Sequence, residues 1–369
     1  MLCTGEKPKM AELKTLAKSD PQFKNYLMGT FSETERALPV QSLNVSTENE
    51  VVTFSIVPVA SIEQPSFVKM WAQILKLKNV VLLIFPLFLL VVKNVVDNVD
   101  FDVFLAAMSG LGALFLFLAM NLRNDSRDHV SGLDRIHPQS GSRAIQNGWI
   151  TAAQAQRLSF VFAVLGLCFG APAIVVSPQI LVCIAIALAI AYFGLRNYGM
   201  GLKYRWSTEL SVFILLGPLL TISYQLAIGA HFDIETLILG IISGWFSVFI
   251  VHLRNFEAIM ANDRAGFGNS VGFLGFEKSK GFLIGWWITL MLFTDLYHWV
   301  YAARAWAVGF ILVTLGLSWL LWKNLKIVKS PVSSNFSPAL GRVQQIAMLL
   351  LSVWILESMT YLLVIEIAS

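Results

Sequence analysis

Residues 103–135 read VFLAAMSGLGALFLFLAM and then NLRNDSRDHVSGLDR. The first eighteen carry no charge, and the next fifteen carry six charged side chains. A helix needs about 20 mostly apolar residues to cross the hydrocarbon core of a bilayer. The first half therefore reads as a span and the second as its emergence into water. The same alternation runs outward from Trp71 to the C-terminus. It predicts nine helices, at 75–95, 101–122, 152–173, 178–195, 208–229, 234–255, 281–300, 303–323 and 342–365. The 369-residue composition agrees: 56% hydrophobic, 14% charged and a mean hydropathy of +0.67. Soluble chains carry about 25% charged residues. Too few charges remain to clothe a soluble fold, which excludes a soluble enzyme, a disordered protein and a nucleic-acid binder. Of three cysteines, Cys168 and Cys183 lie in apolar runs, so no disulfide framework or zinc spacing is present.

Loop charges set a direction. The loops after helices 2, 4, 6 and 8 hold Arg123, Arg127, Arg135 and Arg143, then Lys203 and Arg205, then Arg254 and Lys278, then Lys323 and Lys326. The other loops hold acids such as Asp97, Asp100, Asp102, Asp233 and Glu235. Basic loops stay cytoplasmic. The N-terminus is therefore expected in the cytoplasm and the C-terminus on the opposite side. Residues 1–68 read as a cytosolic extension and 69–369 as the membrane domain. The extension carries six basic and eight acidic residues up to position 65 and shows no signal peptide. Met10 to Leu27 suggests a short polar helix, and residues 51–60 a strand or interfacial segment.

Two cytoplasmic loops, about 120–151 and 255–280, are long, and long loops are usually functional. In the first, Asp125 and Asp128 stand three apart, which puts both carboxylates on one helical face. Asn124 and Asp134 add oxygens. Mg²⁺ favours one or two carboxylates with waters and phosphates, and the neighbouring arginines suit a metal-bridged polyphosphate. The second loop offers Arg254, Asn255, Glu257, Asn262 and Asp263. Leu-Arg-Asn recurs at 122–124, 195–197 and 253–255, each time at the cytoplasmic end of a predicted helix. Lys203, Tyr204 and Arg205 read either as a clamp for a diphosphate or as side chains snorkelling to the interface. Glu209, His252 and Glu357 are polar groups in or beside apolar runs, where a partner or a function is expected.

Asn124-Asp-Ser-Arg-Asp128-His-Val-Ser-Gly132-Leu-Asp134-Arg135 resembles the first aspartate motif of the UbiA superfamily of intramembrane prenyltransferases. Its form is closest to the 1,4-dihydroxy-2-naphthoate prenyltransferases of menaquinone synthesis. Ser142-Arg143 through Gly148-Trp-Ile150-Thr151 is similar to that branch's Arg-x-x-x-x-Gly-x-Ile-Thr. Gly201-Leu-Lys203-Tyr204, Glu209 and Gly217-Pro218-Leu219 resemble a further block, and Trp71–Lys78 the segment before the first span. The likeness covers about 70–365. It implies an all-α, polytopic bundle of about nine transmembrane helices under an aspartate-rich cytoplasmic cap. It also implies a Mg²⁺-dependent transfer of a prenyl group from a prenyl diphosphate to an aromatic acceptor, 1,4-dihydroxy-2-naphthoate. Partners are then those two substrates and membrane lipid, with no nucleic acid.

On this reading Asp125, Asp128 and Lys203 are catalytic. Asn124, Asp125, Asp128, Glu257 and Asp263 ligate metal. Asn121, Arg123, Asp134, Arg143, Tyr204, Arg205, Arg254, Asn255 and Asp263 contact substrate. The second loop departs from the family's Asn-x-x-Arg-Asp-x-x-x-Asp: Asn255 and Ile259 stand where acids are expected. Rival readings are another acceptor (4-hydroxybenzoate, a phytol-type acceptor or phosphoribose, with His137-Pro138 resembling superfamily branches outside the quinone group), a transporter, and a catalytically weakened scaffold. A transporter would place polar groups at mid-membrane, whereas here they crowd one surface.

Overall fold

A computed structural model describes residues 12–45, 47–136, 141–194, 207–264 and 269–368. The chain forms two compact units. One comprises 1–78 and 118–163, the other 79–117 and 164–369.

The first unit opens with β1 (Glu12–Ala17), α1 (Phe23–Met28), β2 (Glu35–Leu43) and β3 (Val51–Pro58). β3 lies between its two neighbours and is antiparallel to both. Val52, Phe54 and Ile56 alternate inward, the period of a half-buried strand. They meet Leu16 of β1 and Phe23, Tyr26 and Leu27 of α1 in one apolar core. β2 is an edge strand, which tolerates Pro39 and a register shift between Pro39 and Gln41. The helix expected over 10–27 is therefore a strand followed by a short helix. Leu16, Phe23 and Leu27 serve a sheet core rather than a helical face. Of the two readings left open for 51–60, strand or interfacial segment, the strand is present as Val51–Pro58. This β-sheet is the exception to the all-α expectation; the remaining elements among the described residues are helices.

After α2 (Phe67–Ile74) comes α3 (Val81–Val96), then α4 (Val103–Ser131), α5 (Leu133–Ile136) and α6 (Ala152–Val176). α4 and α6 each contribute residues to both units. α4 runs on beyond the predicted end at 122, so the aspartate motif lies on its last turns. A second core of Ile74, Leu122, Ala144, Ile145 and Ile150 packs the α2 end, the α4 end and the segment before α6 together.

The second unit continues through α7 (Ile180–Gly194), α8 (Thr208–Leu216), α9 (Pro218–Ala227), α10 (Ile234–Glu257), α11 (Ile259–Arg264), α12 (Ser270–Tyr301), α13 (Arg304–Lys326) and α14 (Phe336–Ala368). The predicted helix 208–229 breaks at Gly217. Pro218 lacks the N–H that a continuous helix would use and starts a new one. α13 shows the bilayer's imprint. Phe310, Thr314, Leu317, Leu321 and Leu325 face inward at helical spacing, while Leu312, Leu315 and Trp319 are about as apolar yet exposed. A helix apolar all round belongs in lipid. Inside the unit, the buried amides of Asn94 and Gln225 bond each other at 2.9 and 3.2 Å.

Among the described residues, seven helical stretches are long and apolar enough to cross a membrane, with α3 counted from Leu77 and α8 with α9 taken as one stretch. They correspond to seven of the nine expected. The other two regions are helical but outside that set. α7 has 15 described residues, about 22 Å, short of a 30 Å core. α12 is kinked at Gly275 and carries Asp295 and His298.

Candidate active site

In the first unit, Asn121, Asn124, Asp125 and Asp128 occur at i, i+3, i+4 and i+7 on α4, so one helical face presents all four. Asp125, Asp128 and Asp134 are 4%, 3% and 3% exposed. Such buried carboxylates require cations or hydrogen-bond donors. Asn124 Nδ2 donates to Asp128 Oδ2 at 2.8 Å. Lys76 forms an ion pair with Asp125, whose other oxygen accepts from the Ser142 backbone N–H at 3.2 Å. Gln146 donates to the Asp134 carboxylate and lies 3.2 Å from His129 Nδ1. Arg143 Nη1 donates to the Asp134 carbonyl at 3.0 Å.

Two backbone features sharpen this cluster. Lys76 and Arg143 adopt left-handed conformations, with φ of 53° and 61°. A residue with a Cβ loses about 1–2 kcal/mol there, and such strain concentrates at functional sites. Gly141 (φ +66) leaves a cradle. A Cβ on it would lie 3.2 Å from Asp125 Oδ1 and 3.5 Å from Asp134 Oδ1, so both carboxylates edge one gap.

The amide nitrogen of Asn121 is buried and has no hydrogen-bond partner among the described residues. Leaving a buried donor unmade costs about 1–3 kcal/mol. Sited one turn before Asp125, it suits an anionic oxygen.

Among the described residues, no three His, Cys, Asp or Glu side chains stand together as a metal site. Mg²⁺ does not demand three, since waters and phosphate oxygens complete its shell. The hard-oxygen donors of Asn124, Asp125 and Asp128, with Asp134 across the Gly141 gap, fit that requirement. The Lys76 ammonium already takes one Asp125 oxygen and is the group a divalent ion would displace.

Other expected residues are placed as follows. Arg123 is exposed, about 200° round the helix from Asn121. Lys203, Tyr204 and Arg205, and the His137-Pro138 pair, lie outside the described residues. In the second unit, Arg254 Nη2 donates to Asn79 Oδ1 at 2.9 Å. The Asn255 carbonyl accepts from Asn262 Nδ2 at 3.1 Å. Glu257 accepts from the Ser337 hydroxyl at 2.6 Å. Asp263 is exposed, and among the described residues no hydrogen bond joins it to Glu257. His252 lies 3.4 Å from Glu209 Oε1 and 3.2 Å from Ser270 Oγ, which gives it a buried polar setting.

At the opposite end of α10, Lys93 pairs with Asp233 at 2.6 Å and Asp97 at 3.2 Å. Tyr297 donates to Glu235 at 2.8 Å. Glu357 finds its partner in His298 at 3.0 Å.

Lys76, Ser142, Gln146 and Gly141 were not singled out from sequence. Lys76 lies within 71–78, a stretch the resemblance did mark. Ser142 and Gln146 lie within 142–151, also marked by the resemblance, but they act through a main-chain N–H and a neutral amide, and Gly141 acts through an absent side chain, none of which leaves a charge to read.

Span-length apolar helices, outward apolar side chains and a buried carboxylate–cation cluster at a helix end define an integral, multi-pass membrane protein with an anion- and metal-suited site. The chain belongs to the UbiA prenyltransferase family, whose family model matches residues 81–353, and so to a class of transferases. No curated protein matches it. Solved structures share its fold with a TM-score of 0.54. One is described as a digeranylgeranylglyceryl phosphate synthase, 16% identical over 79% of this chain and 99% of that one. Another is a UbiA homologue from Archaeoglobus fulgidus bound to DMAPP and Mg²⁺, 15% identical over 79% and 98%. A third is the apo form of a UbiA homologue from Aeropyrum pernix K1, 16% identical over 78% and 98%. At these identities the likeness concerns the fold.

Proposed function

We propose that the protein transfers a prenyl group from a prenyl diphosphate to an aromatic acceptor, with 1,4-dihydroxy-2-naphthoate as the first acceptor to test. The observation that carries this reading is the α4 face: an orphaned Asn121 amide beside the Asp125–Asp128 carboxylates. A buried donor without an acceptor among the described residues, beside one carboxylate held by a lysine and two held by neutral amides, suits an anion that arrives with its own metal. The Archaeoglobus homologue's DMAPP and Mg²⁺ support the same pairing. The acceptor rests on the sequence resemblance of 124–151.

Asn124, Asp125 and Asp128, with Asp134, would hold Mg²⁺, which when bound offsets the charge that grows on departing diphosphate. Asn121 donates to a phosphate oxygen. Lys76, freed from Asp125, and Arg143 add positive charge where the leaving group forms. The buried setting of these side chains excludes the water that would quench an allylic cation. On sequence resemblance alone, Lys203, Tyr204, Arg205, Arg254 and Asn255 are proposed as further diphosphate contacts, and Glu257 and Asp263 as second metal ligands. Loop charges support a cytoplasmic N-terminus and a C-terminus on the other side.

The test is purified protein with Mg²⁺, geranylgeranyl diphosphate and a panel of acceptors. Product with dihydroxynaphthoate, lost in Asp125→Ala and Asp128→Ala, supports the proposal. Product only with 4-hydroxybenzoate, a phytol-type acceptor or phosphoribose replaces the acceptor. No product and no diphosphate binding leaves the scaffold reading.

A further inference from the structure

The family match begins at residue 81, yet the loop that carries Asp134 is tied down by the chain ahead of it. Glu50, just before β3, pairs with Arg135, and these side chains are only 5% and 6% exposed. Arg135 Nη1 also donates to the His129 carbonyl at 2.9 Å. One guanidinium thus joins the extension to both sides of the α4–α5 turn. Gly132 makes that turn with φ +88. A Cβ there would lie 2.3 Å from Val45 Cγ1 and 2.7 Å from Arg135 Nη2. The Trp149 indole N–H donates to the Glu63 carbonyl at 3.1 Å. The extension therefore grips the loop at its start and near its end.

Burial pushes the Arg135 guanidinium below its ordinary value, and the Glu50 carboxylate works against that. Without Glu50 a buried positive charge is left beside Asp134, and breaking a buried pair from one side is strongly unfavourable. The disturbance has a short route to the site. Asp134 adjoins Arg135, and Gln146 links its carboxylate to His129.

We infer that Glu50 is a positioning residue. Its carboxylate fixes Arg135, and through Arg135 it sets the Asp134 carboxylate and the end of α4 in the arrangement that takes metal and diphosphate. The inference rests on the function proposed above. It assigns the N-terminal sheet a part in the site although the sheet lies outside the family match.

The experiment uses full-length protein carrying Glu50→Gln, which keeps the shape and removes the charge, and Glu50→Asp, which keeps the charge. Outer-shell partners of metal ligands typically change metal affinity by about 10–100-fold. Glu50→Gln should raise the Mg²⁺ concentration for half-maximal rate, and KM for geranylgeranyl diphosphate, by about that factor while kcat at saturation stays within about twofold. Amide exchange over 129–136 and 141–148 should quicken, and Glu50→Asp should restore most of both. Lower thermal stability with unchanged KM and Mg²⁺ dependence would mean a merely structural role and would overturn the inference. So would unchanged exchange in the loop. If wild-type protein neither binds nor uses prenyl diphosphate, the function proposal fails. The role in taking metal and diphosphate then falls with it, and the exchange readout decides whether Glu50 still fixes the loop.

Discussion

Asn121 stands one turn before Asp125 with a buried amide nitrogen that has no partner among the described residues. Truncating such a group removes an unsatisfied donor rather than a made bond. Asn121→Ala is accordingly expected to leave thermal stability unchanged or slightly higher while raising KM for the prenyl diphosphate about tenfold, the scale of one hydrogen bond to a charged group. Paired unfolding and kinetic measurements check this. Loss of stability with unchanged kinetics would make Asn121 a packing residue. Lys76 makes the complementary case. Its ammonium sits on Asp125 from a left-handed backbone position. Lys76→Met therefore leaves Asp125 without its cation, and binding of Mg²⁺ in the absence of prenyl diphosphate should strengthen, as titration calorimetry would show. Unchanged or weaker metal binding would remove Asp125 from the ligand set. The carboxylates themselves were legible in sequence because charge is scarce in this chain and Asp125, Asp128 and Asp134 stand close together. Of their protein partners Asn124 was legible, whereas Lys76, Ser142 and Gln146 were not. Ser142 acts through its backbone, Gln146 is neutral, and the pairing of Lys76 with Asp125 depends on the third dimension.

Periodicity separates the elements that sequence revealed from those it did not. α4, α10 and α13 carry apolar runs too long for anything but a span, and their positions follow from length alone. β1 failed because its six residues sit beside Phe23, Tyr26 and Leu27, and the combined spacing mimics a helical face. β3 succeeded because Val52, Phe54 and Ile56 alternate cleanly. Phe54 is fully buried between the flanking strands and α1. Phe54→Ala should cost about 3–5 kcal/mol of the sheet's stability, seen as faster proteolysis within 12–58 while the membrane helices stay intact. Equal resistance would show that the sheet is not packed as described. Asp233 ties the end of α3 to the start of α10. Burial alone would raise its carboxyl, but Lys93, helped by the Thr236 N–H and hydroxyl, brings it below the ordinary carboxylate value. A depressed carboxyl contributes stability above its unfolded value and loses it as pH falls through the folded value. Thermal stability should therefore drop below about pH 4. Asp233→Asn should flatten that part of the profile, and an unaltered profile would mean that Lys93 does not hold it.

For the whole molecule, composition excluded a soluble protein, and the run of apolar segments gave a multi-pass helical architecture. Of the N-terminal sheet only β3 was legible, since the segments of β1 and β2 give no periodic signal of comparable clarity. Loop charge supports the proposed direction: Arg123, Arg127 and Arg135 lie after the second expected span, whereas Asp97, Asp100 and Asp102 lie after the first. Single cysteines placed at Ser61 and Asn98 in a cysteine-free variant should therefore react with impermeant reagent from opposite sides of the membrane. Labelling from the same side would contradict the assigned direction. If the α4 carboxylates serve a Mg²⁺-dependent prenyl transfer, purified protein with acceptor present should release diphosphate from geranylgeranyl diphosphate only when Mg²⁺ is added, and Asp125→Ala should lose that release. Release that ignores either Mg²⁺ or Asp125 would contradict that role.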